Sequence, residues 1–198
     1  MRRRNDQMVS SIVQSRDIGY DEDAPLVTRF LSGENAAFDE IYARYRDRVY
    51  VISKGILLDA DDAADATQET FSLIFKNLHR FGHRSKLSTW IFRVAINSAI
   101  QHSRKLKYRN KQVKLEEAIN ISVSDAETPL VDEERVEVAL SKLKPDDRAV
   151  LSLFYWENLS LFEIGEALKC GANAAKTRLY RARERFRLAY EKLMENEQ

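Results

Sequence analysis

The chain has 198 residues, 44% hydrophobic and 10% aromatic, with 32 Lys or Arg against 31 Asp or Glu and a formal net charge of +1. That composition can build packed cores in one or two domains, which excludes a disordered polymer. No apolar run approaches the roughly 18 residues of a spanning helix, so a soluble, cytoplasmic chain without membrane insertion is expected. One cysteine (Cys170) and three histidines without zinc-ligand spacing give no reason to expect a disulfide, a metal or a cofactor.

In chain order, residues 1–23 open with Arg2, Arg3 and Arg4 and show no apolar period, so a flexible tail is expected there. From 36 to 56 the positions Phe38, Ile41, Tyr42, Tyr45, Val49, Ile52 and Ile56 recur at helical spacing, with Asn35 as N-cap. Over 60–80 a second helix puts Thr67, Phe71, Ile74 and Leu78 on one stripe. Asp61, Asp65, Gln68 and Ser72 fall about 200° away, an outward acidic stripe. A third helix over 85–105 buries Leu87, Ile91, Val94 and Ser98 and turns Arg93, Asn97, Gln101 and Arg104 to the other side, with Trp90 at the edge of that polar face. The stretch that follows is acidic and lacks an apolar period, a linker that ends in Thr128-Pro129, an N-cap and first-turn proline. Three helices are expected over 129–142, 145–156 and 160–168, the last opened by the capping box "SLFE". After "KCG" a long helix carries the apolar stripe Ala175, Leu179, Ala182, Phe186, Ala189 and Leu193. Two short helices, a tight turn and a longer basic helix spell helix-turn-helix.

The near-neutral total conceals a segregated chain. Residues 70–115 hold eleven Lys or Arg, all three histidines and no acid, whereas 55–69 hold five acids and 115–134 seven, neither with a base. Within the basic tract, "RFGHRSKLSTW" sets Arg80, His83, Arg84, Ser85 and Lys86 beside Phe81 and Trp90. Cations interleaved with rings suit a nucleic-acid single strand, whose phosphates follow the cations while unstacked bases meet rings or a loop pocket. Taken alone, each ring reads as core, because large aromatics are mostly buried. The last helix has six bases and one acid over 176–187, a local charge of +5. Its outer face carries Asn173, Ala174, Thr177 and Arg181 for base edges, with Lys176, Arg178, Arg183 and Arg185 on the flanks for phosphates. The bland alternative is a solvated charged face, and the capped helix and turn before it favour duplex DNA.

Three blocks in order, "DAADATQETF" (62–71), "RFGHRSKLSTWIFRVAIN" (80–97) and "LSLFEIGEALKCGANAAKTRLYRARERFR" (159–187), resemble the extracytoplasmic-function (ECF) sigma factors of the sigma-70 family of bacterial RNA polymerase. The resemblance spans about 25–190. It implies an all-α protein of two small helical domains: a region 2-like bundle over 24–112 and a region 4-like helix-turn-helix over 129–198, joined by an acidic linker over 113–128. It further implies core-polymerase docking on the clamp helices of the largest subunit through Asp61, Asp65, Gln68, Glu69 and Phe71, and a second contact with the β-subunit flap. The loop and helix from Arg80 to Arg104 would melt the −10 element and capture a flipped base, with Phe81–Lys86 as the pocket loop and Arg93, Asn97 and Arg104 on the strand. Lys176, Thr177 and Arg181 would lead the reading of the −35 duplex. An anti-sigma factor is an implied partner, and no catalysis is implied.

The sequence departs from the family pattern at Gln101, where Asp is common, and at the turn, where Lys169-Cys170-Gly171 replaces Gly-Ile-Ser. A slightly looser turn is expected there, with Gly171 as a tolerable N-cap and Cys170 packed as a small apolar residue. A plain helix-turn-helix regulator, acting without polymerase, is the rival reading and leaves the acid-free tract unexplained. An enzyme would need a phosphate loop, metal cluster or nucleophile elbow, none of which is written in the chain. With two modest cores, the domains are expected to be oriented by a partner rather than by each other.

Overall fold

The computed structural model describes residues 21–116 and 132–196, and all regular structure among them is helical. We number the helices α1 (Ala24–Leu31), α2 (Ala36–Leu57), α3 (Ala60–Asn77), α4 (Leu87–Glu116), α5 (Asp132–Ser141), α6 (Pro145–Tyr155), α7 (Leu161–Ala167) and α8 (Ala172–Asn196), with a 3-10 turn at Leu78–Arg80. The tail over 1–20 and the linker over 117–131, including the expected helix start at Thr128-Pro129, lie outside the described residues. The first part of the expected linker, 113–116, continues α4.

Helix α2 is built as its periodicity dictates: Ile41, Tyr45, Val49, Ile52 and Ile56 are buried, and Tyr42 stays 40% exposed. Asn35 holds the N-cap position without a side-chain cap bond. At the other end Leu58 adopts left-handed backbone (φ 66°) and its N–H bonds the Lys54 carbonyl at 2.8 Å, which stops the helix. Asp59 then caps α3, its Oδ1 accepting from the Asp62 N–H at 2.9 Å, so the acids at this terminus suit the helix dipole. Ser160 and Glu163 form the reciprocal capping box of α7 that the sequence spells.

Helices α2, α3 and α4 pack on one another, with α1 laid against α2. The stretch expected to be a tail ends inside this bundle. Asp21 Oδ2 accepts from the Leu87 N–H at 2.9 Å and so caps α4, while buried Asp23 accepts from the Tyr45 hydroxyl and from Arg44. Burial pushes the Tyr45 phenol up to about 12.

The second unit consists of α6, α7 and α8 with α5 against α8, and it does not stand apart from the first. Contrary to the sequence expectation, α2 packs on α6 and α4 on α7, and the buried apolar residues of both units form one continuous cluster. Arg148 of α6, only 8% exposed, donates to the carbonyls of Ile56 (2.7 Å), Leu143 (3.0 Å) and Leu140 (3.3 Å). Its guanidinium thereby caps the C-terminal ends of α2 and α5, where the dipole favours a cation, although burial pulls its pKa below the ordinary value. Arg48 of α2 bonds the carboxylate of Glu157 at 2.6 Å.

Candidate nucleic-acid and partner interfaces

The first candidate surface is the outward face of α3. Asp61, Asp65 and Gln68 are exposed, and among the described residues neither aspartate makes an ion pair. The flank toward α4 is internally paired: Asp62 lies 3.0 Å from His102 and Glu69 lies 3.7 Å from Lys105. Glu69 is therefore half-engaged, whereas Asp61, Asp65 and Gln68 offer charge and amide to a partner. Phe71 departs from the expectation of a docking residue. It is 5% exposed with its ring edge-on to Tyr42 at 4.7 Å, and it supports the stripe from beneath.

The second surface is the loop before α4 and the polar row along that helix. Phe81 and Trp90 are 5% and 8% exposed and touch at a ring-centroid distance of 5.6 Å. They are the floor of the loop rather than platforms for bases, because the apolar area they bury holds the loop in place. The His83 ring lies tilted against Phe81 at 4.7 Å with left-handed backbone (φ 50°), a conformation that costs energy and that the packed ring helps to hold. Above this floor Arg80, His83 and Arg84 are exposed, Ser85 is half-buried, and half-buried Lys86 bonds Glu163 of α7 at 3.0 Å. Arg93, Asn97, Gln101 and Arg104 follow along one face of α4, the last three exposed.

The third surface is the helix-turn-helix. Its turn is tight rather than loose, because the Cys170 N–H bonds the Gly165 carbonyl at 2.7 Å and Lys169 supplies the left-handed residue (φ 52°). The approach demands glycine: a Cβ on Gly165 would meet the Cys170 carbonyl oxygen at 2.7 Å. The Ala175 N–H bonds the Gly171 carbonyl at 2.9 Å, which sets Gly171 at the N-cap. With Ala175, Leu179 and Ala182 buried, α8 turns Asn173, Ala174, Lys176, Thr177, Arg178 and Arg181 outward, all exposed. The Thr177 hydroxyl donates to the Asn173 carbonyl at 3.0 Å.

Two cations expected at phosphates are held inside the chain. The Arg183 guanidinium lies over the rings of Phe154 (4.6 Å) and Tyr155 (5.3 Å), and Arg185 grips both oxygens of Asp147 at 2.7 Å. Conversely, Tyr180 escaped the sequence reading. It is 65% exposed on the face of Asn173, Thr177 and Arg181, and the spacing 173–177–180 was the signal that could have found it.

Across from the loop, Phe162, Lys169 and Cys170 share with Arg80, Arg84 and Arg93 the lining of an open cavity of about 1010 Å³. At its edge burial pushes the Glu163 carboxyl up, but bonds from Lys86 and Ser160 outweigh it and hold the group below the ordinary carboxylate value. Among the described residues no cluster of His, Cys, Asp or Glu could hold a metal ion, and no helix is long and apolar enough to cross a membrane.

Comparison with known proteins agrees with this layout. Residues 41–109 match the family model for sigma-70 region 2 and residues 133–186 that for sigma-70 region 4. The chain is similar to the ECF RNA polymerase sigma factor SigW of Bacillus subtilis, with 32% identity over 78% of this chain and 89% of that one. It is also similar to the RNA polymerase sigma-H factor of Pseudomonas aeruginosa, with 30% identity over 88% and 96%. Among solved structures it shares its fold with CnrH in complex with the cytosolic domain of CnrY (TM-score 0.64, 24% identity, 87% of this chain and 99% of that one). The sigma factor RpoE of Bartonella quintana, in complex with the anti-sigma factor NepR, is a second such neighbour (TM-score 0.59, 20% identity, 78% and 96%). Two family models matched in order on one chain, with full-length relatives at this level of identity, place the protein among the ECF sigma factors of the sigma-70 family.

Proposed function

We propose that the chain is the promoter-specificity subunit of RNA polymerase, and that its three surfaces divide the work. The free edge of α3, Asp61, Asp65 and Gln68, docks on a basic face of the core enzyme, with Glu69 at its margin. The loop over Arg80–Lys86 and the row Arg93, Asn97, Gln101 and Arg104 hold the −10 element as single strand. Extruding a base costs a few kcal/mol, which the pocket contacts and backbone cations must offset. The outer face of α8 reads the −35 duplex through Asn173, Lys176, Thr177 and Arg181, to which exposed Tyr180 is added, while Ala174 permits close approach and Arg178 meets phosphate. The boundaries 24–112 and 129–198 suit this division, with Asp21 and Asp23 tied to the first unit.

The observation that carries the proposal is the acid-free row on α4, running from a loop with an aromatic floor in the same chain as a helix-turn-helix. A duplex reader alone has no use for it. The chain does no chemistry of its own and acts where the chromosome lies, in the cytoplasm. Because one structural neighbour was crystallised with an anti-sigma factor and another is in complex with the cytosolic domain of CnrY, an anti-sigma factor that covers these surfaces is the expected regulator.

The test is transcription by sigma-free core polymerase on fragmented genomic DNA, with and without this protein, mapping transcript 5′ ends. New discrete starts that share an upstream and a downstream element are expected. No new starts, with duplex still bound in the absence of polymerase, would replace this proposal with the plain helix-turn-helix regulator.

A further inference from the structure

The loop over 81–86 passes into α4 at a helix end that its own sequence leaves uncapped. A helix begins with N–H groups that have no intrahelical partner, and an oxygen at the N-cap satisfies one of them while a carboxylate also suits the dipole. The Trp90 N–H bonds the Lys86 carbonyl at 3.1 Å, which sets Lys86 at the N-cap of α4. A lysine side chain has no acceptor, and its charge is the wrong sign for that end of a helix. The first turn of α4 carries no acid, nor does any position from 70 to 115. An aspartate at position 86 would cap the helix but set an anion where a cation is proposed to meet the strand. One position cannot serve both ends.

The acceptor comes instead from 66 positions away, where Asp21 Oδ2 receives the Leu87 N–H at 2.9 Å. Asp21 is half-buried beside Tyr45 of α2 and does not line the cavity that Arg80, Arg84 and Arg93 share. Its charge is thus kept off the basic surface. Its hold is stiff as well. Oδ1 accepts from the Asp23 N–H at 3.2 Å, an Asx-type turn that leaves the second oxygen to cross to α4. Asp23, 8% exposed, is anchored by the Tyr45 hydroxyl and by Arg44. One turn further along α4, Phe92 meets Tyr45 at 6.2 Å and Arg48 at 4.7 Å, so the first two turns are fastened to α2 at two points.

The loop hangs between two such fixtures. Phe81 closes its entrance and Leu87 its exit, 5% and 0% exposed, whereas 82–84 are open to solvent and His83 holds left-handed backbone (φ 50°). With the exit bond gone the first turn of α4 would fray, and the loop would gain freedom that strand capture must then remove.

We infer that Asp21 is a positioning residue of the −10 reader: through the Leu87 N–H it supplies the cap that Lys86 cannot, and so holds the loop over 82–86 in the shape that receives the strand. This inference rests on the assignment of that loop and the α4 row to single-strand capture. Asp21 acts through the backbone of Leu87 and not on the DNA itself.

Two variants of the full-length chain test it. Asp21→Ala removes the acceptor, and Asp21→Asn keeps one, since Asn and Asp are about equal as caps. The probe is a fluorescent single-stranded oligonucleotide that carries the downstream element mapped from the parent's transcripts, bound to holoenzyme rebuilt with core polymerase. Its affinity should fall at least about 5-fold in Asp21→Ala, the scale of a lost cap, and recover to within about 2-fold of the parent in Asp21→Asn. Core-polymerase and upstream-duplex affinities should stay at the parent's values in both variants, which a general loss of structure would not allow. In the free chain, amide hydrogen exchange over 82–89 should quicken at least about 5-fold in Asp21→Ala, while α2 and α8 keep the parent's protection. Equal strand capture by Asp21→Ala and the parent, a joint loss of all three affinities, or no recovery in Asp21→Asn would each overturn the inference. Unchanged exchange over 82–89 would overturn the cap whatever the binding shows. A parent holoenzyme that captures no strand would instead remove the −10 assignment, and this inference with it.

Discussion

At the loop before α4 and the first turn of that helix the rings of Phe81 and Trp90 are turned inward and the loop cations outward, whereas the reading half of α8 buries the small and aliphatic Ala175, Leu179 and Ala182 and sets Tyr180, 65% exposed, on its outer face with the polar readers. The difference follows from the two ligands. A single strand has no shape of its own, so the protein must supply a rigid pocket, and rigidity here is bought with buried aromatic area. A duplex arrives with a groove about 12 Å wide, so a helix needs only to protrude and remain uncovered. Aromatic residues thus serve as scaffold in one reader and as available contact surface in the other.

The sharpest way to break this comparison is to remove one ring from each reader. Trp90→Ala should cost about 3–5 kcal/mol, the range for a buried aromatic, a large share of a typical 5–15 kcal/mol stability. Thermal unfolding would show it as a fall of roughly 6–20 °C for a chain of this size. Tyr180→Ala should leave the melting temperature unchanged within the roughly 0.5 kcal/mol of a surface substitution, and alter only discrimination among upstream sequences. Equal melting temperatures for the two variants would show that Trp90 is not a structural floor.

A second contrast sets the free edge of α3 against the paired flank beside α4. Asp65→Lys should weaken core-polymerase binding by at least about 100-fold, roughly 2.7 kcal/mol, since it reverses charge where a partner's cations dock. Its melting temperature should match that of the parent because Asp65 is exposed and makes no ion pair among the described residues. Unchanged affinity would remove α3 from the docking surface.

How legible these features were depended on sequence distance. The burial of α2, the stripe of α3 and the capping box at Ser160 were written in periodicity and in residues three or four apart, which a helix brings together by its own geometry. The rings of the loop could be read both ways, and only the fold decided for burial, since Phe81 and Trp90 choose each other as partners. What could not be read were pairings across long separations: Asp21 capping α4 from 66 residues away, Arg148 reaching Ile56 across 92, and Arg48 meeting Glu157 across 109. A charge in a sequence carries no record of a partner that distant. For the same reason Arg183 and Arg185 read as members of a basic face, although rings and a carboxylate from α6 had already claimed them.

Within α8 the comparison narrows to Arg181 against Arg185. Arg181 is exposed on the outer face and makes no ion pair among the described residues, so Arg181→Ala should cost about 1–3 kcal/mol of discrimination at one upstream base pair. If binding instead fell equally on every sequence, Arg181 would be a phosphate contact.

The smallest effect separates the two roles of arginine most cleanly. Arg185 spends both N–H···O contacts on Asp147, whose side chain is 12% exposed against 51% for the arginine. Because the cation is half in solvent, Arg185→Ala should cost about 1 kcal/mol or less. Asp147 sits in the first turn of α6, where the helix dipole continues to favour its charge after the cation is gone. A phosphate contact would behave differently: its loss lowers the slope of log affinity against log salt by about one without touching stability. For Arg185→Ala we expect the reverse, a slightly lower melting temperature with the salt slope unchanged. A reduced slope at constant melting temperature would return Arg185 to the DNA and show that the ion pair opens when the helix meets its duplex.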